Sequence, residues 1–454
     1  MLLRGDFLEN PGLNPVIQRR GRNASTSLQD VLIRNRLSGK GGVYAVCSAH
    51  PWVIDAAIQQ AMEDDSFLHV ESTSSQVNQL GGYSGQTPGQ FADFVHAAAG
   101  RMGLPTDQVL LGGDHLGPFP WRTEASNSAL SKACELARDC VLAGYRKIHL
   151  DASMACADDV KVLPEQTVAL RAAVLCKAAE EASKYLPPGA DLPLYVIGTE
   201  VPAPGGESAL GAPPAVTTVE SLHQTLQIFQ QAFEESGLAV AWQRVVGVVV
   251  QPGVEFGDDV VFEYDGTRAH SLSAGLPRSP SLVYEAHSTD YQSPSALAQM
   301  VEDHFAILKV GPWLTFAFRE AVFALSAIER ELLAPEKSQR LSQLREVLDR
   351  AMLREPAFWR SYYKGDDSQL RLSRAYSYSD RCRYYWHEAA VREEIERLIE
   401  NVTTHSAPLT LISQYLPLEY EAIRAEQIEN QPGAIIRYHI QLVLRLYATA
   451  CGMG

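Results

Sequence analysis

The sequence predicts an α/β protein, a (β/α)8 barrel of the TIM type with an additional C-terminal helical region. Three observations carry that expectation. Eight short apolar runs recur up to residue 311, and each ends in polar side chains capable of chemistry. Stretches with 3.6-residue periodicity lie between them. The 454 residues leave room for a barrel of roughly 250–300 residues and something smaller beside it.

Taken in order, residues 13–40 read as a leading helix, with Ser25, Thr26 and Ser27 able to cap and Leu28, Val31, Leu32 and Leu37 as its apolar stripe. The runs follow at 42–47, 67–70, 109–111, 147–150, 194–197, 245–250, 281–284 and 305–308. They are apolar on both faces, as strands of a parallel sheet covered on both sides must be. Helical periodicity marks 53–62, 91–102, 128–143, 165–185 and 219–236. An open doubly wound sheet is the rival architecture, but it usually places a Gly-rich dinucleotide turn after its first strand. Here Ser48-Ala-His-Pro-Trp52 stands there. Residues 314–333 read as the last barrel helix, so the barrel is assigned to 1–333 and the helical extension to 334–454. The extension has no strand signal and is expected to pack on the barrel or make a subunit contact, leaving room for a homo-oligomer.

A net charge of −15 argues against nucleic acid or an anionic membrane as the main partner, while leaving room for a local basic pocket. No apolar run approaches the ~18 residues of a membrane span, and the first residues lack a signal-peptide core. Seven scattered cysteines without a CxxC pair suit reduced thiols in a cytoplasmic protein.

In barrels of this type the site lies at the carboxyl ends of the strands. Those ends collect Glu71, Asp114, His115, Asp151, Glu200, Gln251, His287 and Lys309. Imidazoles and carboxylates together are the ligand set of zinc or manganese, with His115 and His287 as the metal candidates. A carboxylate beside such a ligand, Asp114 foremost and Glu200 after it, can move a proton at a carbon next to a carbonyl. Lys309 suits a phosphate, a substrate oxygen or a carboxylate partner. Residues 72–85 are rich in hydroxyls and amides, equipment for reading a polyol, with Gln76 and Asn78 as candidates. Ser153 joins Asp151, and Ser288 and Asp290 lie in a loop of the same character. Each residue has a plainer use, since strand-end acids also cap helices. Eight polar ends converging on one cavity are costly unless used. His69 and His149, inside strands, are assigned structural roles, and His96, His223 and His304 are set aside. The aromatic and basic stretch Ser379-Asp-Arg-Cys-Arg-Tyr-Tyr-Trp386 could lean over the site or pack between helices.

The segments Glu71-Ser-Thr-Ser-Ser-Gln-Val-Asn-Gln79, Gly112-Gly-Asp-His-Leu-Gly-Pro118, Lys147-Ile-His-Leu-Asp-Ala-Ser153, Ile197-Gly-Thr-Glu-Val-Pro202, Tyr284-Glu-Ala-His-Ser-Thr-Asp-Tyr-Gln292 and Lys309-Val-Gly311 resemble the Z-subunit (GatZ/KbaZ) family of D-tagatose-1,6-bisphosphate aldolase. The resemblance runs from about residue 10 into the tail, including Arg383-Tyr-Tyr-Trp386. It implies a barrel acting in galactitol and tagatose catabolism, usually described as a non-catalytic partner of a class II catalytic subunit. The family's older label, tagatose 6-phosphate kinase, finds no support in the residues, because no nucleotide-binding Gly-x-x-x-x-Gly-Lys-[Ser/Thr] loop is present.

The strand ends are also similar to those of catalytic class II aldolases. Asp114 matches the proton-handling carboxylate, and His115 and His287 match two zinc histidines. Gln251 stands where the third is expected, and an amide is a poor zinc ligand. That departure favours an accessory subunit. The alternative is a metal-dependent ketose epimerase or aldolase-like lyase acting on a tagatose-type sugar or its phosphate.

Overall fold

A computed structural model describes residues 27–198, 213–333 and 340–453. Eight parallel strands close a barrel: β1 (Val43–Val46), β2 (Leu68–Thr73), β3 (Val109–Leu116), β4 (Lys147–Leu150), β5 (Leu194–Ile197), β6 (Val245–Val249), β9 (Val283–Ala286) and β10 (Ile307–Val310). Between β6 and β9 a small antiparallel ladder joins β7 (Glu255–Phe256) to β8 (Val261–Phe262). The expected (β/α)8 barrel is therefore present. The last two strands start two residues later than the apolar runs suggested, which puts Glu285 and Lys309 inside strands.

The helices follow from local rules. In α1 (Leu28–Ser38), Ser27 and Asp30 form a reciprocal cap, and Gly39 ends the helix in a left-handed conformation. The outer layer continues with α2 (Pro51–Glu63), α3 (Pro88–Met102), α4 (Ser126–Leu142), α5 (Glu165–Ser183), α6 (Val219–Glu235), the short α7 (Ala239–Trp242), α8 (Gly266–Gly275), α9 (Pro294–Glu302) and α10 (Pro312–Leu332). Proline stands in the first turn of α2, α3, α9 and α10, where its missing N–H costs nothing. The tail is helical: α11 (Leu344–Arg354), α12 (Asp367–Tyr376), α13 (Ala389–His405), α14 (Leu409–Tyr415), α15 (Pro417–Arg424) and α16 (Pro432–Cys451). It wraps back on the barrel. The final helix α16 packs against β1, α2, α9 and α10, while α10 also packs on α13 and α14. Gly42 N–H donates to Cys451 O at 3.0 Å, and Tyr447 Oη donates to Thr289 O at 2.7 Å. No helix among the described residues is long and apolar enough to cross a membrane.

The barrel interior is layered. At its amino-terminal end Leu28 and Leu32 of α1 join Val43, Val246, Val283 and Ile307 in an apolar plug separate from the main core. One layer higher the inward residues become charged, and the strand ends above them open into a cavity. This polarity of the barrel, dry below and ionic above, positions the site.

Candidate active site

Four buried charges from four strands form the floor. Lys147 Nζ lies 2.6 Å from both Glu71 Oε1 and Glu285 Oε2. Lys309 Nζ pairs with Glu71 Oε2, stands 3.0 Å from Asp114 Oδ1 and 3.8 Å from Glu285 Oε1. Burial holds the Lys309 ammonium down, to about 8. Alternating signs let four ions stay in a nearly dry interior, where a single one would be prohibitive. Glu71, expected to touch a ligand, is instead fully buried among these lysines.

Above the floor, β3 bends. The four residues from Gly113 to Leu116 oppose three, Ile148 to Leu150, on β4, and His115 takes a φ of 47°. A regular strand would send Asp114 and His115 to opposite faces; the bulge brings both to the cavity. The bend requires close backbone approach, since a Cβ on Gly117 would lie 1.6 Å from Asp151 O. Gly112 leaves room below, where a Cβ would meet Glu71 Cγ at 2.8 Å.

Three imidazoles meet there. The ring centroids of His115, His149 and His287 are 4.8–5.2 Å apart. His115 Nδ1 is 2.7 Å from Asp151 Oδ2, and Ser153 in turn donates to Asp151. His287 Nε2 is 2.9 Å from Glu285 Oε1. His149 Nδ1 is 3.1 Å from Asp114 Oδ1, to which it donates in the tautomer that leaves Nε2 free to ligate. Burial alone would raise the Asp114 carboxyl, but the surrounding histidines outweigh it and hold Asp114 well below its usual range. Against burial, Asp114 and Asp151 push His115 up to about 9. Burial pulls His287 down.

These residues fit a divalent metal. One ligand atom each from Asp114, His115, His149 and His287 lies within 4.8 Å of the others. A carboxylate on the far ring nitrogen of His115 and of His287 fixes each tautomer and leaves the other nitrogen free to ligate. His149 Nε2 is buried without a hydrogen-bond partner, as a ligating nitrogen would be without its ion. His149 is the residue the sequence reading missed. A histidine inside a strand reads as structural, yet Lys147 and His149 on β4 and Asp151 just past it alternate, so all three face the interior. His69 also turns inward, its Nε2 2.9 Å from Glu71 Oε1.

The remaining expectations divide. Gln76, Asn78, Ser288 and Asp290 line the cavity, together with Lys309 and Cys47. Asn78 mainly shapes its loop, its Oδ1 accepting from Leu80 and Gly82 N–H. Gln251 does not line the cavity; its side-chain oxygen accepts from Gly253 N–H at 2.8 Å. Glu200 lies outside the described residues. The cavity has a volume of about 670 Å³, and its mouth is built partly from the tail: Phe358, Tyr362, Arg381, Arg383 and Tyr384 contribute. The Ser379–Trp386 stretch therefore does reach the site, while Trp386 itself packs on Phe318.

Comparison with known proteins identifies the family. Residues 28–452 match a family described as D-tagatose-1,6-bisphosphate aldolase subunit GatZ/KbaZ-like. The chain is similar to the crystal structure of a probable tagatose 6 phosphate kinase from Sinorhizobium meliloti 1021, at 43% identity over 90% of this chain and 100% of that one, with a TM-score of 0.82. A fructose-bisphosphate aldolase from Campylobacter jejuni matches at 15% identity over 83% of this chain and 91% of that one. Its TM-score of 0.42 is too low for any inference.

Proposed function

The chain belongs to the GatZ/KbaZ-like family of D-tagatose-1,6-bisphosphate aldolase subunits, and on that premise we propose that it carries its own metal-assisted proton-transfer site for a phosphorylated ketose. The observation that carries this reading is the convergence of Asp114, His115, His149 and His287. The third histidine that seemed lost at Gln251 has a counterpart on β4. Zinc or manganese is the ion this donor set suits.

Asp114, Lys309 and the cavity loops divide the work. A divalent ion held by the three histidines would polarise a ketose carbonyl and stabilise charge developing on its oxygen. Asp114, kept ionised, is placed to take a proton from, or return it to, carbon beside that carbonyl. Lys309 holds the Asp114 carboxylate in position from below. Gln76 and Ser288 offer an amide and a hydroxyl to the sugar, and Phe119, Trp121 and Phe358 give the cavity apolar wall. In a C–C cleavage the same carboxylate would take the proton from the hydroxyl on the cleaved carbon and then, as the acid, return it to the three-carbon enolate.

The second reading, an accessory subunit supporting a class II catalytic aldolase, has an observation of its own. Asp114 Oδ1 is already engaged by Lys309 and His149. Under either reading the partner is a class II aldolase chain and the ligand a sugar phosphate. The cysteines of the chain are all free thiols, which supports a reducing cytoplasm. Metal analysis of natively purified protein tests the first reading. About one zinc or manganese per wild-type chain, lost in His149→Ala, supports it; a metal-free wild type that co-purifies with and stabilises a class II aldolase supports the second.

A further inference from the structure

The amino terminus of α10, after the last barrel strand, is where barrels of this type frequently receive phosphate. Here it is occupied from within. Asp290, 3% exposed, accepts from Gly311 N–H at 3.0 Å and from Trp313 N–H at 2.8 Å. A carboxylate seated on those amides closes the place to another anion.

Positive charge gathers instead at the cavity mouth. In a chain of net charge −15, the cavity wall carries Arg122, Arg381 and Arg383 against two carboxylates, Asp114 and Asp290, while the Lys309 charge is met in the floor by Glu71. Both carboxylates are engaged elsewhere, Asp114 by Lys309 and the histidines, Asp290 by the α10 amides. Arg381 is 2% exposed, donates to Phe358 O at 3.0 Å and stacks over the Tyr362 ring. Arg383 donates to Ser379 O, to Asp380 O at 3.1 Å and to Tyr384 Oη at 3.0 Å. The Arg383 bonds run to uncharged oxygens and fix its planar guanidinium at the cavity wall. Fixed guanidinium forks are suited to phosphate oxygens.

We propose that the C-terminal extension supplies the phosphate subsite, with Arg383 receiving the phosphate of the substrate in place of the α10 amino terminus that Asp290 closes. The inference rests on the reading of the cavity as a phosphorylated-ketose site. It makes the tail a specificity element: an unphosphorylated ketose would meet the metal ligands but lose its anchor.

Calorimetric titration of the full chain with dihydroxyacetone phosphate, with dihydroxyacetone as the control, tests this. Wild type is expected to bind the phosphate ester at least tenfold more tightly than the free ketose. Arg383→Gln should lose that margin, Arg383→Lys should keep part of it, and Arg354→Gln, a tail arginine paired with Glu388 outside the cavity, should keep all of it. Hydrogen exchange on wild type needs no variant to fold: the ester should slow the amides of residues 379–386. Equal binding of ester and ketose, an Arg383→Gln variant of native stability that retains the margin, or protection at Gly311 and Trp313 instead of 379–386 would overturn the proposal. A metal-free chain whose ester binding still depends on Arg383 would sink the catalytic reading and leave this one standing.

Discussion

His149 Nδ1 lies 3.1 Å from Asp114 Oδ1, joining the middle of β4 to the bulged end of β3. That contact brings a third imidazole to a pair of residues that would otherwise hold a metal poorly. It also shows how the barrel builds its site: β3 contributes two consecutive residues through a bulge, and β4 three alternate ones through regular pleating.

Asp151 should matter through His115 alone. Its carboxylate fixes the His115 tautomer from 2.7 Å and does not line the cavity. Asp151→Asn is expected to weaken divalent-metal affinity by roughly 10–100-fold. Competition with a chelating indicator measures it, and an unchanged affinity would remove Asp151 from the account.

Lys147 holds the charged floor together. Replacing it with methionine leaves Glu71 and Glu285 facing each other with only Lys309 between them. Breaking a buried pair from one side costs about 3–5 kcal/mol, so Lys147→Met should unfold at markedly lower urea than wild type. A shift under about 1 kcal/mol would mean that water reaches this layer.

How much of this was legible beforehand depends on periodicity. The strands were readable because their outward residues, such as Ile148, Leu150 and Val70, are apolar and buried. The inward set is readable only by alternation, because a charge inside an apolar run looks like the end of it. Glu285 and Lys309 therefore moved into the strands, and His149 was overlooked. Lys147, His149 and Asp151 at every second position was the available signal. The bulge at His115 left no comparable trace beyond its flanking glycines. The packing of α16 beside β1 joins residues some 400 positions apart in the sequence, as in the bond from Gly42 to Cys451. No local pattern could encode it. The aromatic and basic composition of 379–386, by contrast, offers the site as one of two destinations, and Arg381 and Arg383 reach it.

The tail's attachment should depend on pH. His439 on α16 sits 2.7 Å from Glu419 on α15 and 3.4 Å from Glu320 on α10. Burial opposes its charge, but the two glutamates prevail and raise it to about 9. The folded value exceeds the ordinary value of about 6.5. Its contribution is therefore complete below about pH 6.5 and disappears as pH rises through 9. With Glu320 partly solvated, about 1–2 kcal/mol is expected. Urea unfolding of wild type and His439→Gln should differ by that amount near pH 6 and converge near pH 10. A constant difference across that range would count against the pairing as its source.

The central claim is that this chain moves a proton at carbon beside a carbonyl, and solvent exchange tests it most directly. Purified, metal-replete protein without any other aldolase subunit is incubated with dihydroxyacetone phosphate in deuterium oxide, and loss of the C3 proton signal is followed by NMR. Exchange above buffer is expected, reduced by at least about 100-fold in Asp114→Asn. Metal-replete wild type that exchanges no faster than buffer would contradict it.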